Sequence, residues 1–203
     1  MHIKSVFSML SGGVFLLGFF PYIWAVVHGK ASPSKSSWII WATLNTVMLA
    51  GMYASDTTNG QILAAAVGAW IVVFLALKRG TSVWSMLDKA CLLGAVLGIV
   101  LWVTFASPVL AILSSAGVVF LGSIPTFKSA WEDPSRESLA AWACYWISCI
   151  FSLMAVSQWT LANATQPVVF FVMDSIVMFL LLRPRKQMLP GFDSKRSSDM
   201  LSE

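Results

Sequence analysis

Apolar residues run along this chain in long blocks, without the alternation of a half-buried strand or the narrow stripe of a soluble helix. Seven blocks, at 6–27, 37–54, 60–77, 84–105, 108–131, 139–157 and 165–182, are separated by short polar stretches. A helix needs about 20 mostly apolar residues to cross the hydrocarbon of a bilayer. The pattern therefore predicts an all-α, polytopic membrane protein of seven transmembrane helices. Only the segment from Arg183 onward stays polar and basic over a longer run, which predicts a flexible cytosolic tail over 184–203.

The blocks carry an internal repeat. SGGVFLLGFFP from Ser11 and SAGVVFLGSIP from Ser115 agree at six of eleven positions, at a constant spacing of 104. The same spacing relates Ser34 to Ser138, Trp38 to Trp142, Asn59 to Asn163 and Arg79 to Arg183, with no gap. The chain thus divides into a first three-helix repeat (6–82), a connecting helix (83–107), a second three-helix repeat (108–183) and the tail. One connecting span leaves both repeats in the same orientation, a 3+1+3 parallel repeat with its pseudo-twofold axis along the membrane normal. Ser8, Gly12, Gly13 and Gly18 in the first block, with Ser115, Gly117 and Gly122 in the fifth, offer small surfaces for close helix contact. Pro21 and Pro125 each remove one helical hydrogen bond. At matched depth they form a symmetric hinge or, equally, a static bend for packing.

Charge supports the membrane reading and sets its orientation. Charged residues are 11% of the chain, against about 25% in a soluble domain, while 58% are hydrophobic and the mean hydropathy is +0.78. With the N-terminus outside, twelve of the thirteen Lys and Arg flank loops on one side and only Lys4 lies on the other. This positive-inside bias places the C-terminus in the cytosol and accounts for the net charge of +4 without nucleic acid. The bacterial inner membrane is the expected location. The first block is long, broken by Pro21 and part of the repeat, so it predicts a retained helix rather than a cleaved signal peptide. Cys91, Cys144 and Cys149 all fall inside blocks, and no pair has metal-ligand spacing. They predict free buried thiols, with no disulfide, metal site or cofactor.

Three helices plus one plus three, an outside N-terminus and a proline in the first helix of each repeat resemble the PQ-loop and SWEET (MtN3-like) superfamily of small transporters. The resemblance is strongest over 11–41 and 115–145. The family's Pro-Gln pair stands here as Pro21-Tyr22 and Pro125-Thr126, and the second-helix prolines of SWEET proteins have no counterpart in the second and sixth blocks. The match is to the architecture of a divergent bacterial branch, and a sugar specificity does not carry over. Half-sized relatives pair as dimers; this chain contains both halves, so a homo-oligomer is compatible with it and not required.

Asp174 is the most informative single residue, at the middle of VVFFVMDSIVMFLLL. A carboxylate at a helix centre costs about 2.5–3.5 kcal/mol on insertion scales and usually faces a protein interior or a wet cavity. Its repeat mate is Trp70, and an acid facing an indole across the axis suits a cation or a proton-coupled solute. A hydrogen bond to a neighbouring helix, or an ion pair with Lys128, is the structural alternative. Trp38, Trp41 and Asn45 share one helix face, and Trp142, Tyr145 and Cys149 occupy the matched positions. Trp38 and Trp142 follow polar loops and read as interfacial anchors. Trp41, Asn45 and Tyr145 lie deeper, where they line a cavity or pack between helices. Trp146 reads as core packing. His28 and Glu132, matched at the cytosolic ends of the first and fifth blocks, form either a gate pair or solvated loop charges.

These features point to a transporter of a small polar solute, working by alternating access around Asp174, Trp70, Asn45, Trp41 and Tyr145. Such a site requires a cavity open to one side and lined by Asp174. The alternative is a membrane receptor or sensor on the same scaffold that moves no solute. Nothing pairs a nucleophile with a base, so an enzyme is not expected.

Overall fold

The computed structural model describes residues 2–29, 35–80, 86–134 and 137–183. The tail 184–203, Lys30 and Arg136, and the side chains of Asp88, Cys91 and Pro125, lie outside the described residues. The described chain is all-helical: α1 (His2–Val27), α2 (Lys35–Ala54), α3 (Gly60–Arg79), α4 (Met86–Phe105), α5 (Pro108–Gly122), α6 (Ile124–Glu132), α7 (Leu139–Ala155) and α8 (Leu161–Leu182). Four runs are long and apolar enough to cross a membrane: Ile3–Val27, Gly60–Arg79, Pro108–Glu132 and Leu161–Leu182. Trp38–Ala54, Leu92–Phe105 and Leu139–Ala155 are shorter apolar helices. This is consistent with an integral membrane protein.

Local sequence sets the helix limits. Gly29, at φ +70°, lets the chain turn out of α1. Asn59 caps α3 by accepting from the Ile62 N–H at 3.1 Å, and Ser138 caps α7 by accepting from Ala141. Pro108 opens α5, where the missing N–H costs nothing. The two repeated prolines differ in outcome. α1 runs unbroken through Pro21, whereas the fifth block divides at Ser123 into α5 and α6. The Ser123 hydroxyl, at that break, donates to the Val119 carbonyl at 2.9 Å and also lies 2.8 Å from Met173 Sδ. The third helices differ as well: Asn59 is a cap, but α8 begins a turn earlier, at Thr160, so Asn163 lies inside the helix.

α1 packs on α3 and α7; α2 packs on α3 and α5; α8 packs on α5 and α7; α4 lies on α5 and α2. Their shared core includes Phe15, Phe19, Leu44, Ile62, Ile112 and Phe170. Small residues govern the tightest crossing. A Cβ on Gly12 would stand 2.6 Å from the Gly60 carbonyl oxygen, and one on Gly60 would overlap the Ser8 carbonyl oxygen. The Ser8 hydroxyl accepts from the Gly60 N–H at 2.8 Å, so α1 and α3 meet backbone to backbone. Gly18 makes room for the Tyr145 ring and Gly68 for the Phe19 ring. Gly13 and its mate Gly117 have nothing within 4 Å where a Cβ would stand, so they do not serve the close packing expected of them.

At the far end from Lys4, α3 is tied to the end of α1 and the end of α8 to α6. The Arg79 guanidinium donates to the Val27 carbonyl and, at 3.3 Å, to that of Val26. The Arg183 guanidinium, at the matched position, donates to the Trp131 carbonyl and lies over the Trp131 ring, 4.2 Å from its centroid.

Gly60→Ala is expected to lower stability by about 1–3 kcal/mol, because the obstacle is backbone and cannot swing aside. Gly13→Ala should stay within about 0.5 kcal/mol of wild type. Thermal unfolding of the two variants in detergent checks both.

Candidate functional site

A line of buried polar side chains enters the bundle at the end where α1 starts. Asn59, at the α3 cap, donates from Nδ2 to Gln166 Oε1 of α8 at 2.8 Å. Gln166 Nε2 donates to Gln61 Oε1 of α3 at 2.9 Å. Gln61 Nε2 in turn reaches Ser148 Oγ and Cys149 Sγ of α7, both at 3.1 Å. The Ser148 hydroxyl donates to the Ser11 carbonyl of α1 at 2.7 Å. The Cys149 thiol lies 3.1 Å from Asp174 Oδ2, deeper along α8. Gln61, Gln166, Ser148 and Cys149 are fully buried and Asp174 is 1% exposed.

Hydrogen bonding makes this arrangement tolerable. An unpaired amide or carboxylate in an apolar interior costs several kcal/mol, and here each amide answers another across a helix interface. The line also joins distant parts of the chain. Asn59 and Gln61 come from α3, while Gln166, Ser148 and Cys149 come from α7 and α8.

Above the line lies a polar cavity of about 290 Å³, lined among others by Lys4, Ser8, Asp56, Thr57, Asn59 and Ser152. The Lys4 ammonium donates to the Met154 carbonyl at 2.8 Å, and the Thr57 hydroxyl reaches the carbonyls of Met52 and Ala162, both at 3.2 Å. Ser152 Oγ is buried with no hydrogen-bond partner. Asn59 belongs both to the cavity wall and to the buried line. Asp174 does not reach the cavity, so the wet, Asp174-lined chamber expected from the sequence is not formed in this conformation.

The other expected site residues take varied positions. Trp70 is 38% exposed on the outer face of α3, its indole N–H bonded to the Thr46 hydroxyl at 3.0 Å, and it does not come to Asp174. Lys128 pairs with Glu132 at 3.8 Å on the exposed surface of α6, so it is no counter-ion for Asp174. His28 Nδ1 lies 2.8 Å from the Trp24 carbonyl, its ring against the Trp24 indole. Both His28 and Glu132 are therefore engaged within their own helix ends rather than as a gate pair. Trp41 and Tyr145 belong to one aromatic series through Trp38 and Phe19, with centroid spacings of 5.8, 6.2 and 5.6 Å. Phe15 adds a contact to Tyr145 at 4.7 Å. Trp142 is buried against Tyr145 instead of standing at the surface, and its N–H is satisfied by Glu137 at 2.9 Å. Trp146 bonds Ser175 at 2.9 Å and stacks on Phe171.

Asn45 is 8% exposed, and its Oδ1 has no partner. It is the repeat mate of Cys149, so the layer that is hydrogen-bonded through Cys149 in one half holds an unanswered acceptor in the other. Ser11 Oγ and its mate Ser115 Oγ are likewise buried without partners. Such groups are rare in native interiors.

Sequence reasoning missed Asn59, Gln61, Gln166 and Ser148. The two glutamines sit near the starts of their apolar blocks and read there as loop-proximal. What would have marked them is that both are amides on third helices, at the same end. Among the described residues no cluster of three or more His, Cys, Asp and Glu could hold a metal ion. No protein-family model matches the chain, and no curated protein or solved structure is significantly similar to it.

Outside the helices, Glu137 has its pKa raised above the ordinary 4.5, first by burial, with the Trp142 hydrogen bond pulling the other way. A raised folded-state pKa favours the folded protein below the ordinary value, and that contribution is lost as pH rises through the raised one. Glu137→Gln keeps an acceptor for Trp142 and removes the charge. Its melting temperature should be less pH-dependent than wild type above pH 4.5, which a thermal-unfolding series across pH checks.

Proposed function

We propose that this protein is a membrane transporter of a small polar solute, working by alternating access between two three-helix repeats. In this reading α1–α3 form one repeat, α4 the connecting span, and α5–α8 the other, with α5 and α6 as one broken span. The pairing of helices supports the 3+1+3 arrangement. Contacts of α1 with α7, α1 with α3, and α2 with α3 have counterparts 104 residues on in α5 with α2, α5 with α8, and α7 with α8. The Arg79 and Arg183 clasps repeat at the same spacing. The lysine and arginine distribution supports an outside N-terminus and a cytosolic C-terminus, which puts the polar cavity on the outer side.

The observation that carries the transport reading is the buried polar line from the cavity to Asp174. An apolar bundle held only by packing has no need of an intramembrane carboxylate, and such residues mark solute or proton paths. Asn45, with its unanswered acceptor, and Asp174 are the solute-facing residues in this reading; Trp41 and Tyr145 supply the aromatic wall. Because Asp174 is closed off here, transport requires a second conformation in which the repeats part along the aromatic series. The protonatable Asp174 suits a cation- or proton-linked solute.

A receptor is the second reading, favoured by one observation: Asp174 is not part of the cavity wall. Liposome flux separates the two. A solute that raises the melting temperature of the purified protein should also be taken up into proteoliposomes, and Asp174→Asn should cut that uptake by about tenfold or more, a loss of about 1.4 kcal/mol in the rate-limiting barrier. A stabilising ligand without flux would give the receptor reading.

A further inference from the structure

We infer that the Asn59–Gln166–Gln61 amide chain is the gate between the outer cavity and the interior that holds Asp174. Asn59 forms part of the cavity wall, and Gln166 and Gln61 follow it directly inward, each fully buried. Cys149 and Asp174 come next. A solute moving from the cavity toward Asp174 meets these amides first.

The bonds that close this passage also bind the two halves of the chain to each other. Asn59 to Gln166, Gln166 to Gln61, Gln61 to Ser148 and Cys149, and Ser148 to the Ser11 carbonyl each join α1–α3 to α7–α8. Lys4 to the Met154 carbonyl and Thr57 to the Ala162 carbonyl do the same at the cavity rim. Deeper in the bundle the same two halves meet through rings, with Phe15 and Phe19 against Tyr145 and Phe15 against Phe170. An aromatic contact can slide or part without leaving a polar atom unsatisfied. An amide chain opens only when its donors and acceptors find replacements, which water or a hydrogen-bonding solute in the cavity supplies. This makes the chain a two-state element: closed when the amides answer one another, open when they answer the cavity contents. Ser152, a buried hydroxyl in the cavity wall with no partner, is an additional group for those contents to engage. The solute class that fits is therefore one rich in both donors and acceptors.

The inference rests on the transport reading of the same interior, but it is tested through access rather than flux. Cys149, directly behind Gln61, is a native reporter. With Cys91→Ser and Cys144→Ser it becomes the sole thiol of the three in the chain. Sealed vesicles of both orientations are exposed to a charged methanethiosulfonate, and a Thr58→Cys control that also carries Cys149→Ser identifies the cavity face. Cys149 should label slowly from that face. Gln61→Met with Gln166→Met keeps volume and removes the amides; labelling from that face should then rise about tenfold, the equivalent of about 1.4 kcal/mol of lost closure. If the double variant does not fold, Gln166→Met alone removes the amide that joins Asn59 to Gln61, and labelling from that face should rise several-fold. Unchanged rates in a folded double variant, or in the folded single variant, would overturn the gate. Changed access in a protein that moves no solute would remove the transport reading and leave the gate standing.

Discussion

A carboxamide buried between apolar helices has to find its partners on neighbouring helices, because apolar surroundings supply none. That constraint organises this bundle. The Gln61 carboxamide touches α7 and α8 at once, accepting from Gln166 and donating to Ser148 and Cys149. Its position fixes the rotation of α3, the depth of α8 and the face of α7 that turns inward. The close crossing of α1 and α3 at Gly12 and Gly60 lies directly beside it, Gly60 being the residue before Gln61. It allows Ser8 to bond the Gly60 N–H, and the Ser11 carbonyl lies within reach of Ser148. Packing around this layer is then largely a matter of filling space with Phe, Leu, Ile and Met.

The two ends of the bundle are held differently. At the cavity end the halves are joined to each other through amides, hydroxyls and backbone carbonyls. At the far end, two matched arginines each close a helix pair within one half. An internal repeat read as a strict copy would place equivalent bonds at equivalent depths. Instead the layer of Cys149 is hydrogen-bonded, while Asn45 in the mirrored layer is left with a free acceptor. Helix pairing and the arginine clasps recur at the spacing of 104 residues, while the interior hydrogen bonds do not.

Much of the fold was legible in the sequence. Apolar blocks and their spacing of 104 identify helix positions to within a few residues, since hydrophobic length and Gly, Pro and Asn punctuation act locally. The break at Ser123 was not legible, because Pro21 in the same phrase is carried inside an unbroken helix; the difference comes from what surrounds each proline. The site was read less well. Asp174 stands out at any distance in sequence because a carboxylate in hydrocarbon is unusual. Gln61 and Gln166 do not, because an amide near a helix start is ordinary until the fold brings two of them together. Trp70 was matched to Asp174 by the repeat, but a spacing gives depth and not the face of the helix, and Trp70 faces outward.

The sequence separation of the amide partners bears on the order in which the chain assembles. The Arg79 clasp closes over 52 residues and its Arg183 counterpart over the same distance, so each half can be secured as soon as its own third helix is in place. The amide nitrogen of Asn59 and the carbonyl of Gln61 have no such local completion: their partner Gln166 lies 107 and 105 residues further along. Until α8 is in place these two groups lack the partner that they have in the folded chain. Their place at the start of α3, beside the cavity whose wall Asn59 forms, lets water answer them in the meantime. The arrival of α8 completes the amide chain.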